Sequence, residues 1–563
     1  MLQSQLQAWF ESGDAAGFDA LAAQYPLPEL IHALMALYPG YPEQGILSER
    51  LALSRSLRPA PRPVRTVGTF YYRAHTGGAE HVISRLAAMW TAAGYRVVLF
   101  TDFPPDPADY PLPEGVVRYV LPDTFKLTPE TRQARFDQFR TALEESGVDV
   151  FVHHAWLSFN LFWDLLAVRS LGIPFVEYIH GAFSCQLVEG RIHEMDQLYH
   201  LTRILKSADA VISLSHAFNH FWSRFNPRTE LFLDPCDFKD APDPAIRRKP
   251  DQLLWVGRIA PEKQPAEAVR ILAEVRKTLP GVRLKIVGGT DDAFRPIGEA
   301  LREEIRKLGL QDAVSLEGFH PDIARYYQEA SLLLMTSAHE GFGLVIAEAK
   351  YYGLPCVAYD MPYNYFAEDA RGYVSVPMNQ PKAAAEAVVR LLTDPEAYRA
   401  AAEEAKKSAS AFSADTLTVQ WDRFLKKFEL PETFADPVFP RSPDAAVPAA
   451  LLSDAHLGFE KLQRQADMWQ QDARGGFLSS VFDAQFYSSK YPDLRAAFGT
   501  DKVGLLNHFL TFGMNEGRQA CEQFNPAAYR ERYPDLRTAF GDNVRLYYLH
   551  YLLQGRLEGR RGS

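Results

Sequence analysis

Apolar positions change their spacing several times along the chain, and each change predicts a boundary. Leu6, Trp9 and Phe10 recur at helical spacing, as do Leu30, Leu34 and Leu37, with Pro26, Pro39 and Gly40 at the breaks. This predicts an N-terminal helical segment over residues 1–63, suited to a packed head or a dimerisation element. Pro59, Pro61 and Pro63 stiffen its exit. From Val64 short apolar runs alternate with amphipathic stretches. Val64–Phe70 and Tyr95–Phe100 read as strands. Ala79–Ala93 between them reads as a helix, with Val82, Ile83, Leu86 and Trp90 on one face and Gly94 as its stop. Asp149–His153, Phe175–Ile179 and Val211–Leu214 are apolar enough for strands buried on both faces. Thr128 and Pro129 suit the N-cap and first position of a helix reaching Ser146.

The rhythm restarts after the Pro- and charge-rich stretch Lys239–Asp251. Leu253–Val256, Leu284–Val287, Leu332–Thr336 and Cys356–Tyr359 predict strands. Ala266–Leu279, Ile297–Leu308, Leu344–Tyr352 and Lys382–Leu392 predict helices, and Phe412–Phe428 one more amphipathic helix. The expected fold class is α/β, with two Rossmann-like lobes at residues 64–245 and 246–429, the last helix closing the second. Open parallel sheets bind ligands at the carboxyl ends of their strands, so the cleft between the lobes is the expected site.

Residues 430–475 predict a linker, Pro431–Pro448, and a helix, Ser453–Ala473. Residues 476–563 hold an internal repeat. Phe482–Gly499 matches Phe524–Gly541, and His508, Gly513 and Glu516-Gly517-Arg518 recur as His550, Gly555 and Glu558-Gly559-Arg560, at a constant offset of 42 residues. A constant offset means a duplicated, mainly helical block. His508 and His550 lie among Leu, Phe and Tyr and read as packed histidines rather than ligands.

Composition narrows the possibilities. A chain of 563 residues exceeds one hydrophobic core. A formal net charge of -10 argues against nucleic acid as a partner. Cys185, Cys236, Cys356 and Cys521 stand far apart and read as reduced thiols. The N-terminus lacks a basic start followed by an apolar run, and no stretch reaches the ~18 apolar residues of a membrane span. A cytoplasmic protein is expected, with peripheral contact at the inner membrane surface left open.

Four clusters carry chemistry, each where a strand gives way to a helix. In Thr76-Gly77-Gly78-Ala79-Glu80, glycines let backbone approach a ligand, and a helix N-terminus presents N–H groups to anions. In Val256-Gly257-Arg258-Ile259-Ala260-Pro261-Glu262-Lys263, two cations five residues apart can converge on a diphosphate. In Ser337–Glu348, Glu340 stands in a loop with Gly341, Phe342 and Gly343, and Glu348 follows one turn into the helix opened by Leu344. Chance alone produces about nine acidic pairs at that spacing in such a chain, so the setting carries the signal. His180 ends the strand Phe175–Ile179, where a ligand-facing and a structural histidine are equally expected.

In order, Gly257-Arg258…Lys263, Gly288-Gly289, Glu340-Gly341-Phe342-Gly343…Glu348-Ala349 and Gly353-Leu354-Pro355 resemble the retaining glycosyltransferases of family four, which have the GT-B fold. The resemblance spans roughly Val64–Phe428. It implies transfer of a sugar from a UDP- or GDP-sugar to a glycan, lipid-linked or cell-wall polymer acceptor, without metal or other cofactor. Arg258 and Lys263 would neutralise the donor diphosphate, and Glu340 would hold the sugar hydroxyls with Gly341–Gly343. Glu348 would bind the ribose, Gly78 would line the phosphate side, and His180 would approach the donor sugar. No D-x-D is placed for a metal, and the two glutamates do not form a glycosidase-type pair. Tyr359–Asn364 departs from the family pattern and leaves the sugar undetermined. Two other readings stand beside this one: a non-catalytic carbohydrate-binding scaffold on a transferase fold, and a GT-B epimerase or phosphorylase. For the appended segments, homo-oligomerisation through the N-terminal helices or the repeats competes with acceptor binding.

Overall fold

Two parallel sheets carry the middle of the chain, and their strand orders decide where a ligand can sit. The computed structural model describes residues 1–75, 77–122, 128–181, 200–236, 242–243, 245–290, 294–320, 323–361, 364–435, 477–556 and 558–563. Strands β1 (Thr66–Phe70), β2 (Arg96–Thr101), β3 (Val117–Val120), β4 (Val150–His153), β5 (Phe175–Tyr178), β6 (Ala210–Ser213) and β7 (Thr229–Leu231) pair in the order β3-β2-β1-β4-β5-β6-β7. Strands β8 (Gln252–Val256), β9 (Arg283–Val287), β10 (Val314–Gly318), β11 (Leu332–Met335), β12 (Cys356–Tyr359) and β13 (Tyr373–Val376) pair in the order β10-β9-β8-β11-β12-β13. The strand order reverses between β1 and β4 in one sheet and between β8 and β11 in the other. Such a switch point opens a crevice beyond the strand ends. The predicted clusters follow β1, β8 and β11, so they fall at the two crevices.

Central strands β1, β4, β5, β6, β11 and β12 are buried along their whole length, as their apolar runs dictate. Strands β3, β7, β10 and β13 were not predicted. They lie at or near sheet edges, are partly exposed, and carry no continuous apolar run.

The helix Ala414–Lys427 corrects the expected lobe boundary. It packs on the first lobe: Trp421 meets Trp90 edge-on at 5.0 Å, and the Tyr95 hydroxyl donates to Asp422 at 2.8 Å. It starts at Ala414 because the Ser413 side chain caps it by accepting from Thr416 N–H. The beginning of the predicted linker is packed as well. Pro431–Phe434 forms a 3-10 turn, and Phe434 is buried against Phe428. Residues 436–448 and the predicted helix Ser453–Ala473 lie outside the described residues.

The N-terminal segment forms helices Leu2–Ser12, Ala15–Ala22, Leu27–Leu37 and Tyr41–Leu51. Its apolar faces turn inward and dock on the first lobe. Ser48 exchanges hydrogen bonds with Ser207, Glu49 pairs with Arg203 and Lys206, and His32 pairs with Asp137. Within it, the Asp19 carboxylate accepts from the Ser54 hydroxyl (2.6 Å) and from the N–H groups of Arg55 and Ser56 (both 3.0 Å).

In the C-terminal module, helices Ala484–Lys490, Pro492–Phe498 and Lys502–His508 recur as Pro526–Arg532, Pro534–Phe540 and Val544–His550. The Tyr487 hydroxyl meets His508 Nδ1 at 3.1 Å, and Tyr529 meets His550 at 2.9 Å. Both histidines are thus spent on an internal tyrosine. Arg518 and Arg560 occupy matching seats over Tyr491 and Tyr533, at 5.0 and 4.7 Å.

Asp19→Ala removes three hydrogen bonds to one charged group and should destabilise the head by about 1–3 kcal/mol. A lower melting transition is expected, and an unchanged one would show that the head owes nothing to these three bonds.

Candidate active site

The loops after β8 and β11 are tied together before any ligand is considered. The Thr336 hydroxyl faces the carbonyls of Lys263 and Gln264, both at 3.0 Å, and accepts from the Trp255 indole N–H at 2.9 Å. Ala338 N–H donates to the Glu262 carbonyl at 2.7 Å. Gln264 adopts left-handed backbone (φ 46°) directly before Pro265, a conformation that costs roughly 1–3 kcal/mol and persists only where neighbours enforce it. This lacing places Lys263 Nζ 2.6 Å from Glu340 Oε1, which also accepts from the Ser337 hydroxyl at 2.7 Å. Arg258, half-exposed, reaches Glu262 at 3.1 Å and acts electrostatically on Tyr71, in the loop that follows β1. Lys263 is thus held beside the glycine loop, and Arg258 lies on the same strand-to-helix segment, paired with Glu262.

The glycine loop is fastened from beneath. Asn364 is fully buried and donates to the carbonyls of Phe342 (2.9 Å) and Gly341 (3.3 Å), while its oxygen caps Phe366 N–H. Phe342 is buried against Phe366 at 5.0 Å. Gly343 opens the helix Leu344–Tyr351 at φ 93°, where a side chain would be strained. Gly341 has a different reason: a Cβ there would lie 1.8 Å from the carbonyl oxygen of His180 in the first lobe. The two backbones touch.

From the first lobe the helix Gly78–Ala92 starts with Gly78 open toward Leu344, whose Cδ1 would stand 3.8 Å from an added Cβ. The N-termini of two helices from opposite lobes thus meet across one gap, and both favour anionic oxygen. Thr76, named with this cluster, lies outside the described residues. Gly257 N–H donates to Val287, and its carbonyl faces Gly288, where a Cβ would come within 1.8 Å. Glu348 points into the same region: its Oε2 accepts from the Tyr327 hydroxyl at 2.8 Å, and its Oε1 lies 3.7 Å from Arg85 Nη2 of the first lobe. Burial raises its pKa, with Arg85 and Tyr327 acting in the other direction.

His180 belongs to a row that the sequence did not reveal. Its ring stacks on Tyr178 at 4.2 Å, its Nε2 meets His154 Nδ1 at 2.7 Å, and its Nδ1 lies 3.3 Å from Asp234. Asp234 also accepts from the Tyr178 hydroxyl at 2.9 Å. Burial depresses the His154 pKa, so that ring stays neutral. The lobes are joined at a further point, where Glu368 accepts from the N–H groups of His216 and Ala217 (3.2 and 3.0 Å).

Family models match both lobes: Glycosyltransferase Family 4 over residues 76–230 and Glycosyl transferases group 1 over residues 237–408. A D-inositol 3-phosphate glycosyltransferase of Mycobacteroides abscessus is 30% identical over 319 residues, covering 52% of this chain and 70% of the relative. The chain belongs to the family-four glycosyltransferases. Poly(glycerol-phosphate) alpha-glucosyltransferase of Bacillus subtilis is 29% identical over 242 residues, which cover 42% of this chain. The chain spans only about a third of that relative's length (34%). The fold matches Anabaena HepE, whose structure contains UDP, with a TM-score of 0.52 at 18% identity, covering 65% of this chain and 100% of HepE. That match shows the two-lobed GT-B fold. His154, Asp234 and Arg85, which contact residues of these clusters, carry no motif in the sequence.

Gly341→Ala should force the His180 contact apart. Donor turnover is expected to fall at least tenfold while the circular dichroism of the folded chain is retained. Wild-type turnover would mean that the lobes need not meet there.

Proposed function

We propose that the chain transfers a sugar from a UDP- or GDP-sugar to a glycan, lipid-linked or cell-wall polymer acceptor, with retention of anomeric configuration. The convergence at one gap carries this reading: two helix N-termini from opposite lobes, with Lys263 and Arg258 beside them. When the sugar leaves, negative charge gathers on the terminal phosphate. Each cation at about 4 Å supplies roughly 4 kcal/mol of Coulomb attraction at an effective dielectric near 20, before desolvation. Lys263 has three ammonium protons, so it can keep Glu340 and still donate to a phosphate oxygen. In this reading Glu340, oriented by Ser337 and Lys263, accepts from the sugar hydroxyls, and Glu348 accepts from the ribose diol. His180 approaches the sugar from the first lobe. No role is assigned to a metal, because these cations and helix ends take the leaving charge.

Support for the nucleotide comes from HepE, a fold relative seen with UDP. Support for a polymer acceptor comes from the Bacillus relative, named for acting on poly(glycerol-phosphate). Among the described residues no helix is long and apolar enough to cross a membrane, and the reading places the site on a peripheral or soluble chain facing nucleotide-sugar pools.

Lys263→Ala should lower kcat by about 10²–10³ with the melting temperature nearly unchanged, since a preorganised charge at the leaving group is lost. Turnover within a few-fold of wild type would remove the assignment. In a thermal-shift panel of nucleotide sugars, the true donor at about 100 times its Kd should add roughly 2.7 kcal/mol of stability, and a panel without any shift would contradict the reading.

A further inference from the structure

The sequence places Arg85 among apolar neighbours on the buried face of the helix Gly78–Ala92, and only 8% of it is exposed. A buried guanidinium needs acceptors, and its partners here are unusual. Nη1 donates to the Pro235 carbonyl at 2.9 Å, in the segment where the chain leaves the first lobe. Nη2 lies 3.7 Å from Glu348 Oε1, in the second lobe. The neighbouring Cys236 N–H donates to the Phe412 carbonyl at 3.1 Å, so the anchor lies beside the segments through which the chain passes between the lobes.

We propose that Arg85 is a positioning residue for the donor: held by the Pro235 carbonyl, its guanidinium fixes the Glu348 carboxylate, ionised, for the ribose diol. The inference rests on the role given to Glu348 above and adds that donor affinity depends on a side chain of the opposite lobe. Among the described residues, the other groups facing Glu348 are uncharged. Tyr327 donates to it, and Cys236 and Tyr110 lie within electrostatic reach, all three held in their protonated, neutral forms by burial. Burial alone pushes the Glu348 pKa up, and the nearby cation opposes that. A protonated carboxyl would lose an acceptor that the diol requires. Removing the cation should therefore weaken nucleotide binding most at low pH, where Glu348 is more readily protonated, and least at high pH.

The test is calorimetric titration of the full chain with UDP and GDP at about pH 6 and about pH 8.5. It compares wild type with Arg85→Met, Arg85→Lys and Glu348→Gln. Arg85→Met should weaken the better-bound nucleotide about tenfold near pH 6 and distinctly less near pH 8.5, and Arg85→Lys should recover most of the loss. The 2′-deoxynucleotide should show little difference between wild type and Arg85→Met. A loss equal at both pH values, or none, would overturn the inference while Glu348→Gln still weakens binding. If Glu348→Gln binds like wild type, or neither nucleotide binds the wild-type chain, the donor-site reading fails and takes this inference with it. Should Arg85→Met melt below the assay temperature, Arg85→Gln carries the same comparison.

Discussion

The two lobes meet backbone to backbone where Gly341 sits against the carbonyl of His180, and the geometry of the site depends on that closeness. Any side chain at residue 341 would hold the sheets apart. With glycine there, the helix starting at Gly78 faces the helix starting at Leu344, and the row of Tyr178, His180 and Asp234 comes to the edge of the glycine loop. Asn364 and Phe342 then keep that loop rigid from the interior of the second lobe. Where both helix ends point, anionic oxygen is favoured.

Charge inside the molecule follows one rule, that buried charge must be paired or neutralised. Deep in the first lobe Arg135 is held by Asp102 and Asp164, at 2.6 and 2.8 Å, and stays charged. His153 and Glu177 lie 2.8 Å apart with no solvent access, and burial moves both toward their neutral forms. At the gap the pairs are more open to solvent, and two of them join separate loops or lobes: Lys263 with Glu340 and Arg85 with Glu348, beside Arg258 with Glu262 within one loop. These are pairs that an anionic ligand can share without leaving an orphaned charge behind. The first kind of pair builds the lobe, and the second leaves it able to respond.

Much of this was legible in the chain because burial on both faces writes itself as apolar runs. Cys356–Tyr359 was read with its bounds intact, and the central strands within two residues. The edge strands escaped because half-exposed strands lack that signature. The last helix was assigned to the wrong lobe because its apolar stripe, Leu417, Trp421, Phe424 and Leu425, announces burial without naming its partner. The site residues on strand-to-helix loops came from their order and spacing. Arg85, His154 and Asp234 did not, since each matters through a residue distant in sequence. For Arg85 a signal existed, a cation placed within the apolar face of a helix, and it acquires meaning only once Glu348 is seen beside it.

The central claim is that the gap holds a diphosphate, and comparing nucleoside diphosphate with its monophosphate tests it most directly. Calorimetric titration with UDP against UMP, and GDP against GMP, should show one diphosphate binding at least ~10²-fold tighter than its monophosphate, a difference that shrinks as salt is raised. Equal affinities for both pairs, unaffected by salt, would contradict the account.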